Sequence, residues 1–159
     1  MSVTTDKRTP TEEKFETGEN FKALCVYTVQ VCKNEKHFPK RDRWLLTQEI
    51  VKAAVKAYGH VMEANAVEVR TWEDYKLRRA HQVKARAKLK KLNAYIEVAM
   101  KALNLEPDRA ETWQGYIKPC RELLAKWRES DRKRYKKVLD EHDALKKQRK
   151  KQDGHAGNG

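Results

Sequence analysis

Apolar residues recur at helical spacing through the middle of the chain, and the stretch from Phe38 to Asn65 is the one the others flank. Within it Leu46, Ile50, Ala53, Ala57, Val61 and Ala64 form one stripe, spaced as the buried face of a long α-helix requires. Pro39 is tolerated in a first helical turn and sets the predicted start, and the helix is expected to run to about Arg70. Before it, a helix is predicted from Gly18–Phe21 to a point ahead of Pro39. Its stripe is Phe21, Leu24, Cys25, Thr28, Val31 and Cys32, while Val26, Tyr27 and Val29 fall on the opposite side. A helix apolar nearly all round is buried on two faces, either centrally in a bundle or against a second subunit.

Thr71 followed by Asp74 has the form of a capping box and marks a fresh start. A third helix then runs without Gly or Pro to about Asn104, with the stripe Leu77, His81, Ala85, Leu92, Ile96, Ala99 and Leu103. Pro107 breaks the pattern, because the residue before a proline is pushed out of the α region. Asp108 then suits an N-cap with Glu111 three residues on. The fourth helix presents Trp113, Tyr116, Ile117, Cys120, Leu123, Leu124 and Trp127, with a bend expected where Pro119 faces the Gly115 carbonyl. After Ser130 the period weakens. The pattern contains neither a strand signal nor a solenoid-length repeat. It predicts an all-α, up-and-down four-helix bundle over 19–129, a flexible arm over 1–18, and a basic extension over 130–159 that is partly helical and disordered from Asp153.

Composition changes this picture in one respect. The chain carries 37% charged residues and a formal net charge of +13, with a mean hydropathy of -0.97. No segment approaches the roughly 20 apolar residues of a membrane span, and the first 20 residues lack a signal-peptide core. A cytoplasmic protein with no membrane partner is expected. Cys25 and Cys32, seven residues apart on one helix, are about 10 Å apart along its axis and beyond disulfide reach. Reduced, buried thiols are expected for the three cysteines.

The charge is unevenly placed. Lys76, Arg78, Arg79, Lys84, Arg86, Lys88, Lys90 and Lys91 occupy a stretch with no acid between Lys76 and Lys91. A solvated helix face ordinarily interleaves both signs in i, i+4 pairs. Like charges so arranged repel unless an anion neutralises them, which favours nucleic acid, RNA or DNA, over bare solvent. Relative to the predicted stripe, Arg79, Arg86 and Lys90 lie roughly opposite, and Lys84, Lys88 and Lys91 flank it. A second basic block includes Arg132, Lys133 and Arg134, with Asp131, Asp140, Glu141 and Asp143 interspersed, so a self-compensating helix is as good a reading there. Trp113 and Trp127 fall on a core stripe; Trp44 and Trp72 lie near helix starts, suited to core or interface. Val26, Tyr27 and Val29 are the candidate oligomer interface.

Enzyme chemistry finds no foothold. A di-iron bundle needs Glu-x-x-His on two helices, and the chain has only the reversed His60-Val61-Met62-Glu63. His81 reads as a core histidine. With no zinc spacing, phosphate loop or nucleophile motif, no catalytic, cofactor or metal residues are expected.

Phe38-Pro39-Lys40, the aromatic Trp44, Gln48-x-Ile50 and Glu63-Ala64-Asn65 resemble, in order and spacing, the Avd-like four-helix bundles, the accessory variability determinants of diversity-generating retroelements. The wider superfamily includes bundle proteins encoded by intervening sequences in large-subunit ribosomal RNA genes. The resemblance covers Phe21 to about Arg128; the N-terminal arm and the tail extend beyond it. It implies a basic homopentameric barrel that binds nucleic acid and partners a reverse transcriptase and its template RNA in mutagenic cDNA synthesis. An intervening-sequence relative, or a scaffold that meets an acidic partner, is the alternative.

Overall fold

The computed structural model describes residues 15–157, all of the regular structure being helical. Five α-helices follow in order: α1 (Glu16–Lys33), α2 (Gln48–Ala66), α3 (Trp72–Ala102), α4 (Pro107–Arg134) and α5 (Lys136–Ala156). Packing contacts join α1 to α2 and α4, and join α3 to the same two helices, so the first four enclose one core while α5 touches α3. The expected arm over 1–18 lies mostly outside the described residues. Its last residues belong to the bundle: Thr17 and Gly18 are buried, and Phe15 meets the edge of Trp127 at 5.0 Å between ring centroids. A Cβ on Gly18 would come within 2.5 Å of the Phe15 ring, so only glycine lets that ring fold down.

The core is built from the stripes. Phe21, Leu24, Val31 and Cys32 of α1 meet Ile50, Ala53, Ala57 and Val61 of α2, Leu89, Leu92 and Ile96 of α3, and Trp113, Ile117, Cys120 and Leu124 of α4. Phe38, in the connection after α1, is buried and edge-on to Trp113 at 6.1 Å. One polar pair lies within this core and is satisfied. The Thr28 hydroxyl donates to the Leu24 carbonyl at 2.7 Å and accepts from Trp113 Nε1 at 3.0 Å, tying α1 to α4. A hydroxyl and an indole N–H buried without partners would each cost about 1–3 kcal/mol, so the pairing is what permits a tryptophan there.

Several boundaries differ from expectation. The segment after Pro39 is not regular helix: Lys40–Asp42 is 3-10, Arg43–Thr47 is a π turn, and α2 proper begins at Gln48. Through that segment Trp44 and Leu45 stay outside, 84% and 77% exposed, while Thr47 turns inward. Helix α4 starts at Pro107 behind Glu106 with no side-chain cap, so the Asp108 cap is replaced by a proline already holding helical φ. It continues past Pro119 as one helix to Arg134. The Thr71–Asp74 box is present as expected, Asp74 N–H donating to Thr71 Oγ1 at 3.2 Å and Thr71 N–H to Asp74 Oδ2 at 3.0 Å. Asp153, placed at the start of a disordered end, is still helical, and α5 reaches Ala156.

The boundary at Ser130 is overturned by Asp131, which is 2% exposed. Arg78 Nε and Nη2 donate to its two oxygens at 2.7 and 3.0 Å, and Gln82 Nε2 donates at 2.8 Å. Arg78 Nη1 also reaches the Ala64 and Val67 carbonyls, closing the C-terminal end of α2, whose last carbonyls have no partner within the helix. The guanidinium carbon lies 5.0 Å from the Trp127 ring centre and 5.6 Å from that of Tyr135. One side chain of α3 thus fastens α2, α4 and the turn into α5.

Candidate nucleic-acid interface

The core phase of α3 decides which cations share a face. Its buried residues in the first half are Tyr75, Arg78, Gln82, Ala85 and Leu89, whereas Leu77 is 51% exposed. Leu77 is therefore the wrong marker of the stripe and His81 lies at its α2 edge, 17% exposed, so the whole basic set rotates with the correction. Arg79, Arg86 and Lys90 do not stand opposite the core; they border it on the side of α4. Lys84, Lys88 and Lys91 lie roughly 120–180° around the helix from Arg79 at 3.6 residues per turn. Lys91 rests over Tyr95 at 5.6 Å. Arg78, counted among the phosphate-binding candidates, is 5% exposed and occupied by Asp131, so it belongs to the core.

What α3 presents toward α4 is a groove of about 370 Å³. Its floor is apolar, formed by Leu89, Ile117 and Leu124, and its walls carry Arg86 and Lys90 from α3 and Arg121 and Arg128 from α4. No carboxylate lines it. Among the described residues none of these four, nor Arg79, has a carboxylate within ion-pair distance. Burial first, then the neighbouring charges of Arg79 and Arg86, pulls the Arg128 guanidinium below its ordinary pKa. It stays protonated, so the groove holds repulsion the fold does not relieve. Arg79 Nη1 and Arg128 Nε are moreover buried donors with no protein partner. Unpaired donors of this kind want an acceptor, and a phosphate oxygen supplies both the acceptor and the counter-charge.

The groove continues toward α5. Lys76 and Arg79 of α3 share a second depression with Arg132 and Lys133 of α4 and Lys136 of α5, where Glu129, Asp140 and Asp143 also appear. Arg79 lines this second depression, and its charge acts on Arg128 of the first. From Lys76 to Lys90 the row spans about 21 Å along the helix, carboxylate-free at the Lys90 end and interleaved with acids at the Lys76 end. Arg132 is partly neutralised by Glu129 at 3.7 Å, and Arg134 is exposed beyond it. Arg121 and Arg128 were missed in the sequence. Each stands alone among mixed charges on its own helix, and only the α3–α4 pairing shows that both face the acid-free run.

The apolar candidates separate as well. Tyr27 stacks on Tyr116 at 4.5 Å, and Arg109 Nη1 donates to its hydroxyl at 3.4 Å, so it is half-buried within the chain. Val26 is 50% exposed and sits beside Tyr27 and Tyr116. Val29 lines a different and larger groove, about 810 Å³, between α1 and the α2 region, with Cys32, Trp44, Val51 and Val55. Of the remaining tryptophans, Trp113 is fully buried and Trp72 stacks on His142 of α5 at 3.9 Å.

No protein-family model matches this chain, and no curated protein shows significant similarity to it. No described helix is long and apolar enough to cross a membrane.

Proposed function

We propose that the chain is a nonenzymatic nucleic-acid-binding protein, an up-and-down four-helix bundle acting as the accessory protein of a diversity-generating retroelement. In that role it would assemble as a homo-oligomer, a pentamer as the resemblance implies, and partner a reverse transcriptase and its template RNA. The observation that carries the binding part is the α3–α4 groove: four cations, no carboxylate, and the buried Arg128 Nε donor without a partner, with the charge of Arg79 close by. The retroelement part rests on the resemblance of the Phe38 to Asn65 stretch.

Binding through phosphates releases counterions, giving a log–log salt slope of roughly -0.7 per phosphate on single strands. Fluorescence anisotropy of a single-stranded RNA should show the combined variant Arg86→Gln, Lys90→Gln, Arg121→Gln losing up to about 2 units of that slope. Lys146→Gln, Lys147→Gln, Arg149→Gln on α5 removes the same charge away from the groove and should keep most of it. Equal slopes for wild type and the groove variant would overturn the assignment. The neighbouring genes test the rest: a reverse transcriptase with a template and variable repeat supports the retroelement reading, and a ribosomal RNA gene replaces it with the intervening-sequence one.

A further inference from the structure

We infer that His60, Glu63 and His81 form a binding site for one divalent transition-metal ion of the zinc class. The site lies between α2 and α3 and involves none of the groove residues, so it stands apart from nucleic-acid binding. His60 and Glu63 are three apart on α2 and share one face of that helix; His81 approaches from α3. His60 Nδ1 and His81 Nδ1 are 3.3 Å apart. Glu63 Oε2 lies 2.9 Å from His81 Nδ1 and 3.5 Å from His60 Nδ1. Ligand atoms about 2.0–2.1 Å from a tetrahedral zinc ion sit roughly 3.3–3.4 Å from one another, so these three atoms already outline one face of such a tetrahedron.

Hydrogen bonding accounts for this triangle poorly. A proton on His81 Nδ1 can serve Glu63 or His60 along one edge, and it leaves the others unmet. Placing protons on both Nδ1 atoms crowds two donors 3.3 Å apart onto the single Glu63 Oε2, which is 2.9 Å from one and 3.5 Å from the other. A cation near the centre bonds all three atoms at once. Two imidazoles and one carboxylate select zinc, copper or nickel over magnesium or calcium, which prefer all-oxygen sets. The rest of the chain competes weakly by thiolate, since burial pushes the Cys32 and Cys120 thiols up to about 12. The nearby guanidinium of Arg78, one turn before His81 on α3, is neutralised by Asp131 and adds little repulsion.

The two imidazoles are largely covered, at 20% and 17% exposed, while Glu63 is 54% exposed. An ion held there is reachable from solvent and keeps a fourth position for water, and it cross-links α2 to α3 on the side away from α4. The sequence gives half the signal in His60-x-x-Glu63; the second helix's histidine is found only through the register of α2 against α3.

The test uses the full chain, stripped with a chelator, and titrates Zn2+ in competition with a chromophoric chelator and Co2+ by visible absorption. One equivalent of each metal per chain is expected, with cobalt bands of the intensity that four-coordinate geometry produces. At zinc a hundredfold above its dissociation constant, the thermal midpoint should rise by about 5–10 °C. His60→Ala with His81→Ala should abolish the bands and the thermal shift, and Glu63→Gln, at an exposed position that folding tolerates, should weaken zinc by at least about tenfold. Circular dichroism of each variant establishes that helix content is kept. Absence of stoichiometric binding by the wild type, or metal binding by the Glu63→Gln variant equal to the wild type, overturns the site.

Discussion

At the scale of the residue, Arg78 and Asp131 matter most to stability. A buried ion pair contributes little net stability when complete, but removing one member leaves the other charged and uncompensated, at about 3–5 kcal/mol. Asp131→Ala should therefore destabilise the protein by about 3–5 kcal/mol, read from urea unfolding with an unchanged denaturant slope. Asp131→Ala behaving like an ordinary surface change, within about 0.5 kcal/mol, would mean the pair is not buried in solution. Asp74 acts on a smaller scale and through pH. The N–H groups of Arg70 and Thr71 donate to its carboxylate, and they hold its pKa below the ordinary value of 3.8. A carboxylate whose folded pKa is depressed contributes stability that is present above the unfolded value and lost as pH falls through the folded one. Asp74→Asn should accordingly flatten the acid limb of the stability curve below about pH 4 while leaving its shape near neutrality unchanged. Superimposable acid limbs for the two proteins would count against the box.

Helices with clean apolar stripes were largely legible from sequence: α2 buries Ile50, Ala53, Ala57, Val61 and Ala64 as the 3.6-residue period selects, and α4 buries Trp113, Ile117, Cys120 and Leu124, while Tyr116 of the expected stripe is 37% exposed. The first half of α3 was not. Its inward face carries Arg78 and Gln82, which read as surface until Asp131, fifty-three positions from Arg78, supplies the partner. Leu77 then attracts the apolar label by default. The same long-range pair hid the true end of the bundle, since nothing near Ser130 distinguishes Asp131 from other acids of a mixed-charge tail. The candidate groove was half legible for a like reason: the acid-free run shows Arg86 and Lys90, but Arg121 and Arg128 need the α3–α4 pairing. A truncation follows at the scale of elements. Ending the chain after Ser130 removes Asp131 and should lower stability about as much as Asp131→Ala. Ending it after Tyr135 keeps Asp131 and the ring beside Arg78, and loses only α5, which buries no residue. Thermal melts of both chains decide this; equal midpoints would show that Asp131 does not anchor the bundle.

For the whole molecule, the cation groove and the apolar groove occupy different helix pairs, and that arrangement favours assembly. Trp44, Leu45 and Val55 are 84%, 77% and 48% exposed around the α1–α2 side. An apolar surface of this kind is ordinarily covered by a partner, and a second copy of the chain is the partner our proposal names. The apolar groove is lined by α1 and the α2 region and the cation groove by α3 and α4, so copies joined along α1–α2 would leave the α3–α4 grooves uncovered. Grooves linked in that proposed assembly would act as a multivalent site, in which one RNA bound by a first copy would meet the next at high effective concentration. Sedimentation equilibrium should therefore give a multiple of the 18.7 kDa chain mass at micromolar concentration. Trp44→Glu with Val55→Glu should return it to the single-chain mass with helix content unchanged, since both side chains are exposed. Val26→Glu, on the α1–α4 side, distinguishes an interface confined to α1–α2 from one that wraps the whole of α1. In the dissociated variant the RNA affinity for long strands should drop at least tenfold, the low end of typical multivalent gains. Affinity for a strand short enough to fill one groove should stay level. A wild type that sediments as 18.7 kDa would leave the apolar groove to a different partner and remove the multivalent part of the argument.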